Sequence, residues 1–150
     1  MTKVLVTYYS RTGNTAKIAL AIAEGVFAES VDVQVKTADK VDVNDVLAAD
    51  LIAVGSPISW GPSMVGLVKD LFERIYVQAK DKIVGKPYVS FVSCGNLENG
   101  KKALESIEQV ADSLKMQKIS EGIVFAGALG DKETAACRQL GKKLALSARK

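Results

Sequence analysis

Apolar runs and amphipathic helical patterns alternate along this chain from one end to the other, and that alternation limits its fold more than any other feature. Residues 3–9, an apolar run from Val4 onward, read as the first strand, and in residues 16–29 Ile18, Ile22 and Val26 recur four apart, the repeat of one helix face. Residues 31–35, Val-Asp-Val-Gln-Val, alternate strictly, as a half-buried edge strand does. Residues 40–49 read as a short, weakly periodic helix with Asp and Asn near its start. Leu51-Ile52-Ala53-Val54-Gly55 is continuously apolar, the pattern of a parallel strand covered on both faces, and it stops at Ser56-Pro57. Residues 65–78 predict a helix burying Val65, Val68, Phe72 and Ile75. A fourth strand follows over 87–93, then a helix over 100–115 through Leu104, Ile107, Ala111 and Leu114. Residues 119–125 predict the fifth strand, and 132–148 a closing helix with Cys137, Leu140 and Leu144 inward.

Five βα units in succession, without linker, repeat or low-complexity segment, specify an α/β fold: a three-layer sandwich around a five-stranded parallel sheet, in one domain over residues 1–150. Crossovers between parallel strands are right-handed, so helices cover both faces only if the winding reverses. An edge-like second strand beside buried first, third and fourth strands suits the order 2-1-3-4-5. Ligands in such sheets bind beyond the carboxyl ends of the strands, at the switch point between strands one and three. The loops after strands one, three and four therefore carry the expected site.

The first of these is Ser10-Arg11-Thr12-Gly13-Asn14-Thr15. Unpaired N–H groups and the helix dipole make a helix start favourable for an anion. Gly13 allows close backbone approach, Ser10, Thr12 and Thr15 offer hydroxyls, and Arg11 is free to point into solvent. An ordinary N-cap needs one Ser, Thr, Asn or Gly, whereas five of these six positions carry one. The stretch reads as a phosphate cradle. The second loop, Ser56-Pro57-Ile58-Ser59-Trp60-Gly61-Pro62-Ser63, holds the only tryptophan. A lone Trp usually packs in a core, but here it stands in a Gly- and Pro-punctuated loop at the switch point, where stacking on a planar ring is worth about 1–3 kcal/mol. The third, Ser93-Cys94-Gly95-Asn96-Leu97-Glu98-Asn99-Gly100, is either an irregular backbone turned toward a ligand or a plain turn before a helix.

Several functions lack their residues. The net charge of +3 is spread without a basic block or interleaved aromatics, so nucleic acid is not an expected partner. With no histidine, and with Cys94 and Cys137 far apart, a zinc site or a Ser-His or Cys-His pair is excluded in its usual form, and Cys94 reads as a small buried residue. The amino-terminal apolar run is too short for a signal peptide and no stretch is long enough to span a membrane, so a reducing, cytoplasmic setting is expected. A signalling receiver domain would need carboxylates after strand one, an Asp ending strand three and a Lys after strand five. Tyr8-Tyr9, Gly55-Ser56 and Ala126-Gly127 stand there instead. A low-molecular-weight phosphatase would need an Arg six residues after its Cys, where this chain has Gly100.

Ser10-x-Thr12-Gly13-Asn14-Thr15 after the first strand resembles the phosphate loop of flavodoxins. Gly55-Ser56-Pro57 leading to Trp60-Gly61 is similar to their second flavin loop, and Cys94-Gly95-Asn96 to a third that usually reads Cys-Gly-Asp. The likeness spans essentially the whole chain, at the length of the short-chain members. It implies bound FMN, with its phosphate in the loop of Ser10 to Thr15 and its ring between Pro57, Ile58, Ser59, Trp60 and Gly61 on one side and Ser93, Cys94, Gly95, Asn96 and Asn99 on the other. In the family the peptide after this Trp can flip so that its carbonyl accepts a hydrogen bond from flavin N5, and Gly61 matches that role. The implied function is a low-potential electron carrier serving redox partner proteins, as a monomer or weak dimer.

Two departures stand out. Asn96 replaces the Asp, and Asn99 stands where a tyrosine commonly covers the outer flavin face, leaving it bare or covered only by Leu97. Flavodoxins are also typically acidic, which suppresses the anionic, fully reduced flavin and steers basic partners, whereas this chain is slightly basic. Both changes ease full reduction. An open face also keeps a second reading in play: an FMN-dependent reductase on which NAD(P)H or a quinone stacks. No His or Arg pair at the three loops offers to hold a nicotinamide nucleotide.

Overall fold

A computed structural model describes residues 2–59 and 61–149. In chain order its elements are β1 (Lys3–Tyr8), α1 (Asn14–Ala28), β2 (Asp32–Thr37), a 3-10 turn (Ala38–Lys40), α2 (Val43–Ala48), β3 (Leu51–Ser59), β4 (Gly61–Met64), α3 (Gly66–Ala79), β5 (Pro87–Cys94), α4 (Leu97–Ser113), β6 (Gln117–Lys118), β7 (Ile123–Ala126) and α5 (Asp131–Ala148). The parallel strands lie in the order β2-β1-β3-β5, with β6 and β7 along the outer edge of β5. Counted as five parallel strands, this is the expected 2-1-3-4-5, the fifth being in two pieces. β4 adds a short antiparallel return against the end of β3.

Period-two alternation in the buried strands sorts their side chains onto two helical layers. Val4, Val6, Leu51, Ala53, Val89 and Phe91 pack with α1 and α5, through Ile18, Ile22, Val26, Cys137, Leu140 and Leu144. Leu5, Ile52, Val54, Tyr88 and Val92 pack with α3 and α4, through Val68, Leu71, Phe72, Ile75, Ala103 and Ile107. On the first of these layers two helices approach backbone to backbone. A Cβ at Gly25 would lie 2.1 Å from the Arg138 carbonyl oxygen, and one at Gly141 would lie 2.1 Å from that of Ile22.

Several boundaries depart from the sequence reading: α2 is shorter than 40–49, starting at Val43 behind the Asp42 cap, β2 runs to Thr37, and four further departures have a physical reason close to the site or the sheet edge. α1 begins at Asn14 rather than 16, because Gly13 in the left-handed region (φ 100°) caps it and its carbonyl accepts the Lys17 N–H. β3 runs on through Pro57 to Ser59 instead of stopping at Ser56. The Gly55 carbonyl accepts from the Tyr9 N–H, so residue 57, two positions on, faces the same flank of the strand. β1 pairing has ended there, and the missing N–H of Pro57 costs no ladder bond. α4 begins at Leu97 rather than 100, because Asn96 accepts the Asn99 N–H on its side chain. The fifth strand breaks between Lys118 and Ile123, and Gly122 fits in the gap only because it has no side chain: a Cβ would lie 2.6 Å from the Ser90 carbonyl oxygen.

Gly55 sits beneath the buried ring of Phe91, whose Cε2 would lie 1.9 Å from a Cβ at that position. The ring is fully enclosed and has nowhere to turn. Gly55→Ala is expected to destabilise the protein by about 1–3 kcal/mol, seen as a lower urea midpoint at unchanged slope.

Candidate functional site

The carboxyl ends of β1, β3, β5 and β7 bring four loops to one edge of the sheet. In the first, Ser10 Oγ accepts the backbone N–H groups of Gly13 (3.1 Å) and Ala16 (3.2 Å). Its hydroxyl therefore organises the loop from within. The backbone N–H groups of Arg11, Thr12, Asn14 and Thr15 have no acceptor among the described residues. Arg11 and Thr12 are exposed, Gly13 and Asn14 half-buried, and Thr15 buried with its hydroxyl 2.5 Å from that of Ser93 at the end of β5. Unpaired donors at the start of a 15-residue helix are the chemistry of an anion site.

The second loop is braced by Ser56. Its buried hydroxyl donates to the Pro57 carbonyl (2.6 Å) and accepts the Val65 N–H (2.9 Å), closing the base of the β3–β4 hairpin. The Met64 N–H reaches Ser106 Oγ on α4 (3.2 Å), which anchors the returning arm. Gly61 has φ 79°, a conformation that suits glycine. Trp60, the expected stacking surface, lies outside the described residues.

In the third loop only Gly95 and Asn96 separate strand from helix, with Leu97, Glu98 and Asn99 in the first turn of α4. Leu97 is exposed and Asn99 half-buried. Cys94 is half-buried rather than fully buried, with its thiol 3.5 Å from the Phe125 carbonyl. Burial pushes that thiol above its ordinary pKa, partly offset by the Asn96 and Gly100 N–H groups. Cys137, packed between α5 and the sheet, is pushed up to about 11 by burial and then by Glu133.

Between these loops lies a cleft of about 270 Å³ lined by Arg11, Thr12, Asn14, Pro57, Ile58, Ser93, Cys94, Gly95 and Gly127. Arg11 thus stands at its mouth as well as in solvent. Ser10, Gly13 and Thr15 belong to the same loop without lining the cleft, and Asn96 and Asn99 stand off it at the start of α4. Gly127 is the residue sequence reasoning passed over. It has φ 77°, and its N–H donates to the Cys94 carbonyl (2.9 Å), tying the fourth loop to the third. Its signal was its place after the last strand, at the same carboxyl edge as the other three. Among the described residues no group of acidic, Cys or His side chains could hold a metal ion, and no helix is long and apolar enough to cross a membrane.

The thiols make a check on this geometry. At pH 8 Cys94 is expected to react slowly with a disulfide reagent, faster as pH rises through its raised pKa, while Cys137 stays silent until the chain unfolds. Equal rates for both would contradict the burial described.

A parallel sheet wound in the order 2-1-3-4-5, with unpaired N–H donors in the loop after β1 and a cleft at the β1/β3 switch point, is a doubly wound fold with its candidate ligand site at the strand ends. Comparison narrows this. The family model for flavodoxin matches residues 6–141. A flavodoxin of Aquifex aeolicus is 36% identical over 160 aligned positions, covering 97% of this chain and 86% of that one. A solved flavodoxin from the domain Archaea superposes with a TM-score of 0.89 at 27% identity, covering 99% of each chain. A coenzyme F420H2 oxidase of Methanothermobacter marburgensis is 30% identical, but this chain spans only 36% of its length. The chain belongs to the flavodoxin family, whose members bind FMN and carry electrons, and FMN is its cofactor.

Proposed function

We propose that this protein is a one-electron carrier of low potential that holds FMN across the first three strand-end loops and exchanges electrons with other redox proteins. The observation that carries the reading is the set of four backbone N–H groups, of Arg11, Thr12, Asn14 and Thr15, that find no acceptor among the described residues around Gly13. A phosphate monoester dianion supplies the acceptors they lack, helped by the exposed Thr12 hydroxyl and the dipole of α1. The ring would lie between the Pro57-to-Gly61 hairpin and Cys94-Gly95, with Trp60 on one face and the turn of Asn96 to Asn99 beside the other.

Bound FMN supplies reversible redox chemistry, and the chain's part is to bind it, orient it and adjust hydrogen bonds to it. Gly61, at φ 79°, permits the neighbouring peptide to change orientation with little strain. Cys94 lines the cleft with its thiol held protonated at neutral pH, so it offers no general base there. That suits electron relay, which needs none. Two free cysteines support a reducing cytoplasmic setting, and the same reading has the protein acting as a monomer or weak dimer.

Titration of the apoprotein with FMN tests this, followed by flavin fluorescence. Quenching that ends at one FMN per chain is expected; no uptake would sink the reading. Anaerobic addition of NADPH alone is expected to leave the loaded protein yellow, whereas rapid bleaching would identify a reductase.

A further inference from the structure

One contact at the site is not explained by holding the fold together. Thr15, in the first turn of α1, and Ser93, near the end of β5, bring their hydroxyl oxygens to 2.5 Å across 78 positions of sequence. Thr15 is 1% exposed and Ser93 5% exposed. Each hydroxyl has one proton and two lone pairs, so when one donates the other keeps its proton for a further acceptor. A threonine in a helix otherwise divides its χ1 between wells, in one of which its hydroxyl bonds back to the preceding turn. The contact with Ser93 gives the Thr15 hydroxyl a fixed partner on the sheet instead. With Ser93 donating, the Thr15 proton is left over at the helix start, beside the unpartnered N–H groups of Asn14 and Thr15 itself.

We propose that Ser93 is a positioning residue for phosphate recognition: its hydroxyl holds that of Thr15 as a donor to the FMN phosphate and so sets the preference for FMN over riboflavin. The inference rests on FMN binding at the first loop, as read above. Ser93 lies on the strand that carries the ring-side loop, Cys94-Gly95, and by sequence alone would be counted with the ring contacts. The bond directs it to the phosphate end.

Ser93→Ala removes one oxygen from a packed position and is expected to weaken FMN binding by about tenfold, the scale of one lost hydrogen bond to a charged group. Riboflavin, which has no phosphate, is expected to bind Ser93→Ala within about twofold of the parent. Ser93→Cys keeps a side chain of similar size with a weak donor; it carries the same expectation and serves if the alanine variant does not fold. A cycle with Thr15→Val, read on FMN alone, is independent of riboflavin: on the valine background Ser93→Ala is expected to change affinity by less than about twofold. An equal loss for FMN and riboflavin, no loss for FMN, or the full tenfold loss on the valine background would each overturn the inference. Failure of the parent protein to bind FMN would instead overturn the functional reading on which it rests.

Discussion

Gly13→Val is expected to raise the dissociation constant for FMN by about a hundredfold while leaving the apoprotein folded. Gly13 sits at φ 100°, in the left-handed region, where a β-branched residue is a strained outlier. Holding valine there costs about 1–3 kcal/mol, a factor of roughly 5 to 150 in any equilibrium that requires the conformation. Space is not the obstacle, because a Cβ at this position meets nothing within 4 Å. The apoprotein can therefore relieve the strain by letting the loop move. Relief turns away the N–H groups of Thr12 and Asn14 and weakens the Ser10 contact to the Gly13 N–H, so the loss falls on the anion. Gly13→Asn separates backbone conformation from bulk, since Asn tolerates positive φ, and it is expected to cost FMN affinity about fivefold. If valine and glycine bound FMN alike, the phosphate would lie elsewhere.

The second large effect is on stability. Gly141→Ala places a methyl group 2.1 Å from the Ile22 carbonyl oxygen and 3.0 Å from the Gly25 Cα, both backbone atoms of α1. Neither can yield as a side-chain tip would. Helix propensity alone favours the substitution by about 1 kcal/mol, because glycine in a helix interior is costly. Overlap decides against it. α5 must move off α1, and Ile18, Ile22, Leu140 and Leu144 lose close packing along the shared layer. The expected net loss is about 2–3 kcal/mol, or roughly 6–10 °C in melting temperature. A stabilised Gly141→Ala protein would show that the two helices do not meet as described.

The same two glycines show where reading the sequence stops. In a helical pattern Gly141 counts only as a weak position, and no periodicity marks it as the point where another backbone passes. The strands and layers were legible because burial on two faces leaves runs such as residues 51–55, and burial on one leaves the alternation of residues 31–35. Order 2-1-3-4-5 followed from the edge character of the second strand. Element ends were less legible, since they hang on single caps: the backbone of Gly13 and the side chain of Asn96 each start a helix two or three residues early. Pro57 misled for a related reason. It ends a strand only where its missing N–H would have been paired, and here it faces the flank on which β1 has already stopped. The candidate site was legible as three loops because each is dense in Ser, Gly, Asn or Pro beside a buried strand. Gly127 was not, because Ala126-Gly127 carries no motif and matters only through its N–H to Cys94.

Redox titration tests most directly whether the protein carries electrons one at a time on FMN. With one FMN bound per chain, anaerobic reduction followed by absorbance at fixed potentials is expected to resolve into two one-electron steps, the second at low potential. A single two-electron step, reached as readily with NADPH as with a one-electron reductant, would contradict the account.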